Sequence, residues 1–312
     1  MSLTTAQMAR RAGRVTASNV PAILGVDDFK SPRMAYDEIT GRSSFEGNEM
    51  TALGDDMEEA CAKAFTRATS KRLTRRGLNR GGKDTLILAT LDYVAVDEDA
   101  PVECKARGIK NPWRIAAQFG ESGTDQAPMR DIFQVTAQLI ACPEAERAYI
   151  SEIVGGLGHR WYVIPRNAEL IGIIVAGVEK FVTDFLEPGI APPPDYRDLG
   201  AIEAVARRAD VEAPIPSDLF NLFAAAKDKE DEVQEEIGTL RARLLEAMRV
   251  GDNYADVGVC EAGRLTYRKC KDGERFDEKR FAAEQPQLWR QYITSKPGHR
   301  TLLLRPNKGD GQ

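Results

Sequence analysis

Thr85-Leu86-Ile87-Leu88-Ala89-Thr90-Leu91-Asp92-Tyr93-Val94-Ala95-Val96, continued after the acidic turn Asp97-Glu98-Asp99 by Pro101-Val102-Glu103-Cys104-Lys105, is the stretch on which the fold turns. Residues 85–96 are rich in branched residues and too apolar for a surface loop, which predicts one or two buried strands. Residues 101–105 predict a short strand that returns beside them as a hairpin-like pair. Strand side chains repeat every two residues, so Glu103 and Lys105 are expected on one face, with Cys104 turned toward the core.

Upstream, Met50, Leu53, Met57, Ala60, Cys61, Ala64 and Phe65 recur at helical spacing and predict a long helix over 50–69 that carries Glu58. Ser31 before Pro32 marks a helix start, and Gly41 suits its end. Downstream, 132–142 predicts a helix ended by Pro143, 148–154 and 160–164 two strands, and 168–186 another helix. Helices, strands, helix, strands and helix in that order suit an α/β layer structure. Pro188-Gly189 and Pro192-Pro193-Pro194 then break the pattern, so one domain is expected over 1–195 and an extension over 196–312. The extension predicts a long amphipathic helix over 218–250, striped by Val233, Ile237, Leu240, Leu244 and Met248. A small α+β tail follows, with strands at 255–260 and 264–269, a helix near 276–283, and a disordered end at 307–312.

Composition narrows the chemistry. Only His159 and His299 are present, and Cys61, Cys104, Cys142, Cys260 and Cys270 form no CxxC pair. Histidine catalysis, zinc ribbons, clustered iron–sulfur ligands and a disulfide framework are therefore disfavoured, which leaves carboxylates as metal ligands and a hard cation such as magnesium as the ion. No apolar run is long enough to span a membrane and the start lacks a signal-peptide core, so the cytoplasm is the expected compartment. The net charge of −5 argues against nonspecific wrapping of nucleic acid, yet eight basic residues and no acid lie between Lys63 and Lys83, and Arg10, Arg11 and Arg14 form a second basic group. A solvated charged face is the plain alternative for either.

Phosphodiester hydrolysis needs a cation to lower the pKa of the attacking water and offset charge on the phosphate, and converging carboxylates with a lysine supply such a site. Three acid-x-lysine triplets occur, at Asp28, Glu103 and Asp277. Only Glu103 lies on a strand-like segment with an acid, Asp92, embedded in an apolar run eleven positions earlier. Burying three charges together is costly unless they pair or bind a metal. Glu58 adds a carboxylate from a second element. Gln134 and Gln138, one helical turn apart, face the same side and suit contact with a lysine, a water or a phosphate oxygen.

Arg14-Val15-Thr16-Ala17-Ser18, Ala22-Ile23-Leu24-Gly25, the Gly-x-x-x-Glu of 54–58, Ala89-Thr90-Leu91-Asp92, Glu103-Cys104-Lys105 and Gln134-Val135-Thr136-Ala137-Gln138-Leu139 occur in that order. Over about residues 8–190 the chain resembles the YqaJ-type viral recombinases, lambda-exonuclease-type members of the PD-(D/E)XK nucleases. The resemblance implies a restriction-endonuclease-like core, a mixed central sheet flanked by helices. It also implies a magnesium site, with manganese as a substitute, held by Asp92 and Glu103 with support from Glu58. Lys105 would orient or activate the water, with Gln134 holding it. Thr90 would help bind a terminal phosphate, and Arg14 and Ser18 would contact DNA. Arg107 and Lys110 are candidates for a phosphate contact that the segment after the lysine does not resolve. The implied activity is 5′ to 3′ digestion of linear double-stranded DNA from its ends, with a single-strand annealing protein as partner and a homo-oligomeric ring as a possible assembly. A structure-specific endonuclease or repair nuclease on the same fold, and a noncatalytic DNA-binding scaffold, stay open as alternatives.

Overall fold

The computed structural model describes residues 9–42, 49–75, 79–81, 85–108, 119–155, 158–205, 211–295 and 301–304. Contacts within the chain group into two compact units, Met1–Arg207 and Arg208–Gln312.

In the first unit the 85–96 stretch forms two short strands, β3 (Ala89–Thr90) and β4 (Tyr93–Ala95). The break falls at Leu91-Asp92, where the Asp92 carboxylate accepts the Cys104 N–H at 2.9 Å in place of a backbone carbonyl. Strand β5 (Ala100–Arg107) is longer than expected by one residue at its start and two at its end. With β1 (Leu73–Thr74), β6 (Arg147–Val154) and β7 (Gly158–Pro165) it builds a five-stranded sheet in the order β1-β4-β5-β6-β7, while β2 (Asn79–Arg80) pairs with β3 apart from it. The sheet is mixed: β5 and β6 run parallel and the other neighbours antiparallel. A parallel neighbour requires a crossover. The chain between β5 and β6 provides one and carries the helix Met129–Ala141.

Strand alternation gives the sheet two different faces. Val102, Cys104, Tyr93 and Tyr149 pack with Cys61 and Phe65 of the helix Glu49–Thr69, where Phe65 meets the Tyr149 and Trp161 rings edge-on. Val94, Ile150 and Ile164 face the other way, into the larger core with Val135 and Leu139. In chain order the helices of this unit are α1 (Val20–Ile23), α2 (Pro32–Ile39), α3 (Glu49–Thr69), α4 (Met129–Ala141), α5 (Ala168–Phe181, extended by a π-helical turn, Val182–Leu186) and α6 (Leu199–Ala204). The Ser31 hydroxyl caps α2 by accepting the Met34 N–H and donates to buried Asp198 at 2.6 Å, so the chain past the proline triplet stays attached to this unit.

Among its described residues the second unit has a 31-residue helix, α7 (Ser217–Ala247), a hairpin of β8 (Arg249–Val250) and β9 (Asn253–Tyr254), a hairpin of β10 (Val257–Cys260) and β11 (Gly263–Thr266), and two short helices, α8 (Glu278–Glu284) and α9 (Pro286–Tyr292). The 264–269 strand is shorter than expected, Gly263–Thr266, and α9 had no expectation attached to it. The end at 307–312 lies outside the described residues. Among the described residues no helix is long and apolar enough to cross a membrane. All five cysteines are free, with Cys61, Cys104 and Cys142 buried.

Candidate active site

Glu103, Lys105 and Arg107 alternate along β5 and therefore share one face. Asp131, Gln134 and Gln138 are spaced at three and four residues on α4 and share the opposing face. The two rows meet as a ladder. Gln138 donates to Glu103 Oε2 at 2.5 Å, Gln134 donates to Glu103 Oε1 at 2.7 Å, and Lys105 Nζ donates to Glu103 Oε1 at 2.6 Å and to Gln134 Oε1 at 3.1 Å. One glutamine thus orients acid and ammonium together. Burial works against the Lys105 charge, but Glu103 and Asp131 outweigh it and hold the ammonium above the usual lysine value.

Asp92 stands at the head of β4 beside this ladder. Burial, and next the neighbouring Glu103 charge, push its carboxyl well above the usual aspartate range, against the Cys104 N–H and Lys105. Glu58 on α3 adds a smaller repulsion to Asp92, but its own carboxylate is paired with Arg75 at 2.7 Å. Among the described residues no three His, Cys, Asp or Glu side chains are already grouped to enclose an ion. The donor set fits a hard divalent cation: Asp92 and Glu103 offer carboxylate oxygens, and an ion between them would relieve the repulsion that Glu103 exerts on Asp92.

Arg107 is held inward: its guanidinium pairs with Asp131 and, at 3.0 Å, with Glu152, both fully buried. These pairs tie β5 to α4 and β6. Lys110 lies outside the described residues. Arg14 donates to the Thr85 carbonyl at 2.7 Å, which ties the N-terminal segment to the strand region. A different arginine gathers the hydroxyls: Arg11 donates to Thr90 at 3.3 Å and to Ser18 at 3.2 Å, with Thr16 and Ser18 hydroxyls 2.9 Å apart. The isolated bridge Thr16↔Leu88 brings these pieces together, two residues from Thr90 and four from Asp92. The signal for Arg11 was its place in the N-terminal basic group, seven residues before Ser18; the bridge that brings it to Thr90 is a long-range contact. Glu152 was missed too, although a lone acid inside Ala148-Tyr149-Ile150-Ser151-Glu152-Ile153-Val154 is a visible anomaly.

The basic stretch at 63–83 carries acids as partners: Lys63 pairs with Glu59, Lys71 with Glu98, Arg72 with Asp97, Arg75 with Glu58 and Arg80 with Asp99. It is a surface ion-pair network, and Arg76 and Lys83 lie outside the described residues.

A family model described as the YqaJ-like viral recombinase domain matches residues 7–144, a span that contains Arg11, Ser18, Thr90, Asp92, Glu103, Lys105 and Gln134. Over residues 7–144 the chain is similar to that domain. The similarity, with the acid–lysine layer inside the matched span, supports a phage-type nuclease. Among solved structures, the chain is similar to an alkaline exonuclease (LHK-Exo) from Laribacter hongkongensis, with 21% identity over 65% of this chain and 100% of that one and a TM-score of 0.46. LHK-Exo in complex with dAMP gives 20% identity, the same coverage and a TM-score of 0.47. A phage related exonuclease from Haemophilus somnus 129PT gives 17% identity over 56% of this chain and 96% of that one, with a TM-score of 0.41. No curated protein matches.

Proposed function

We propose that the chain is a magnesium-dependent exonuclease that digests linear double-stranded DNA from a 5′ end and leaves a 3′ overhang for a single-strand annealing partner. Residues 1–195 form the nuclease core in this reading and 196–312 an extension. The observation that carries it is the convergence of Glu103, Lys105 and Gln134 under α4 beside Asp92. Asp92 and Glu103 are the carboxylates that would hold the ion, with Glu58 in reserve on its Arg75 tether. The bound ion would lower the pKa of the attacking water and offset charge on the scissile phosphate. Lys105, kept charged by its acidic neighbours, orients the water and steadies the developing negative charge, and Gln134 keeps the ammonium from swinging away.

The 5′ to 3′ polarity rests on the family resemblance, and the second cluster is the anchor proposed for the end. A guanidinium flanked by two hydroxyls, as at Arg11, Ser18 and Thr90, suits a terminal phosphate dianion, and charge-assisted hydrogen bonds make such a contact strong. With Thr90 two residues from Asp92, a terminal phosphate anchored there would lie near the carboxylates proposed to hold the ion. The test uses linear duplexes with 5′-phosphate or 5′-hydroxyl ends, labelled at either end, with closed circular DNA as control. Release of the 5′ label first, a preference for phosphorylated ends that Arg11→Ala removes, and an intact circle are expected; cleavage of the circle or prior release of the 3′ label overturns the proposal.

A further inference from the structure

Helix α7 has no buried residue along its 31 positions, although helices in proteins draw most of their stability from packing an apolar face. Val233, Ile237, Leu240 and Leu244 follow the alternating four- and three-residue spacing of a coiled-coil seam, and each is between 48% and 52% exposed. Leu265 and Tyr267 of the β10–β11 region wall one side of this seam and leave an apolar groove of about 350 Å³ open along the other. Charge is divided along the helix. Residues 228–236 hold six acids and one lysine, and 241–249 hold three arginines and one glutamate.

We propose that this groove receives α7 of a second copy of the chain, running antiparallel. A two-fold axis between Gly238 and Thr239 pairs Val233 with Leu244 of the second copy and Ile237 with Leu240, each twice over. The acidic half of one helix then lies along the basic half of the other. Glu236 and Arg243 both immediately precede a seam position, and in an antiparallel pair such flanks meet, so Glu236 faces Arg243 of the second copy. A parallel pair in register would instead stack Glu230, seven residues before Ile237, on its own copy inside the seam and set acid against acid. The contact is isologous and closes on itself, so it is distinct from the head-to-tail contact that builds a ring. It does not depend on the nuclease reading.

The test is the mass of the full-length chain in solution, by light scattering or sedimentation, across concentration and salt. Leu240→Glu is expected to halve the particle mass. Glu236→Arg and Arg243→Glu should each do the same, and the double variant carrying both reversals should restore the wild-type mass. The proposal is overturned by a mass that Leu240→Glu leaves unchanged, or by single reversals that dissociate the particle without rescue in the double variant.

Discussion

The Lys105–Glu103 pair on β5 and the Arg72–Asp97 pair on the surface are almost equal in length, 2.6 Å and 2.7 Å. Their side chains differ in cover, with exposures of 23% and 6% for the first and 75% and 57% for the second. The inner pair is gripped by Gln134 and Gln138 and sits beside two further acids; the outer pair is screened by water. Length therefore does not rank an ion pair. What lies over it does, because solvent decides both the strength of the charge interaction and the cost of breaking it.

Removing charge from the inner layer should expose that difference most strongly. Lys105→Ala is expected to lower the cleavage rate roughly 10²–10⁴-fold, the range for loss of a positioned proton-handling group, with DNA binding retained by gel shift. A rate near wild type would erase the contrast. Arg107→Ala leaves Asp131 and Glu152 buried without their cation and should cost about 3–5 kcal/mol of unfolding free energy in denaturant titration. A variant of wild-type stability would mean that the triad is not tightly formed in solution.

Glu152 sharpens the comparison through pH. Burial raises its carboxyl from the ordinary glutamate value of 4.5 to about 7, against the pull of Arg107. The folded state then binds a proton that the unfolded state releases across this window, so the contribution is fully present below about pH 4.5 and is lost as pH rises through 7. The contribution is on the order of 3 kcal/mol. Glu152→Gln should flatten the decline in melting temperature over that interval, and an unchanged decline would assign it to another group. Arg72→Ala, the smallest change, should leave melting and DNA affinity within measurement error; a clear loss of affinity would restore the 63–83 stretch as a DNA contact.

Local pattern carried the elements well and the long-range choices less so. The alternation in 101–105 is enough to place Glu103 and Lys105 on one face, and the spacing of Gln134 and Gln138 is enough to aim both at that face. Arg11 and Arg14 look alike in sequence, because what separates them is the Thr16↔Leu88 bridge between segments about seventy residues apart. Arg107 looks like a free cation for a related reason. Its partners come from α4 and β6, and nothing in Ala106-Arg107-Gly108 announces them. The basic run at 63–83 hides its partners in the same way, since Glu58, Asp97, Glu98 and Asp99, which pair with four of its residues, are supplied by the flanking helix and turn.

The most direct test is cleavage of a linear duplex by the wild type and by Glu103→Gln as magnesium is titrated from excess chelator upward. Glu103→Gln keeps the shape of the side chain and removes one of the two charges offered to the ion. The expected result is wild-type cleavage that starts from nothing in chelator and saturates with magnesium, against a variant that stays inactive throughout. Cleavage in chelator, or a Glu103→Gln titration that overlays the wild type, would contradict the assignment of Asp92 and Glu103 as the metal-binding pair.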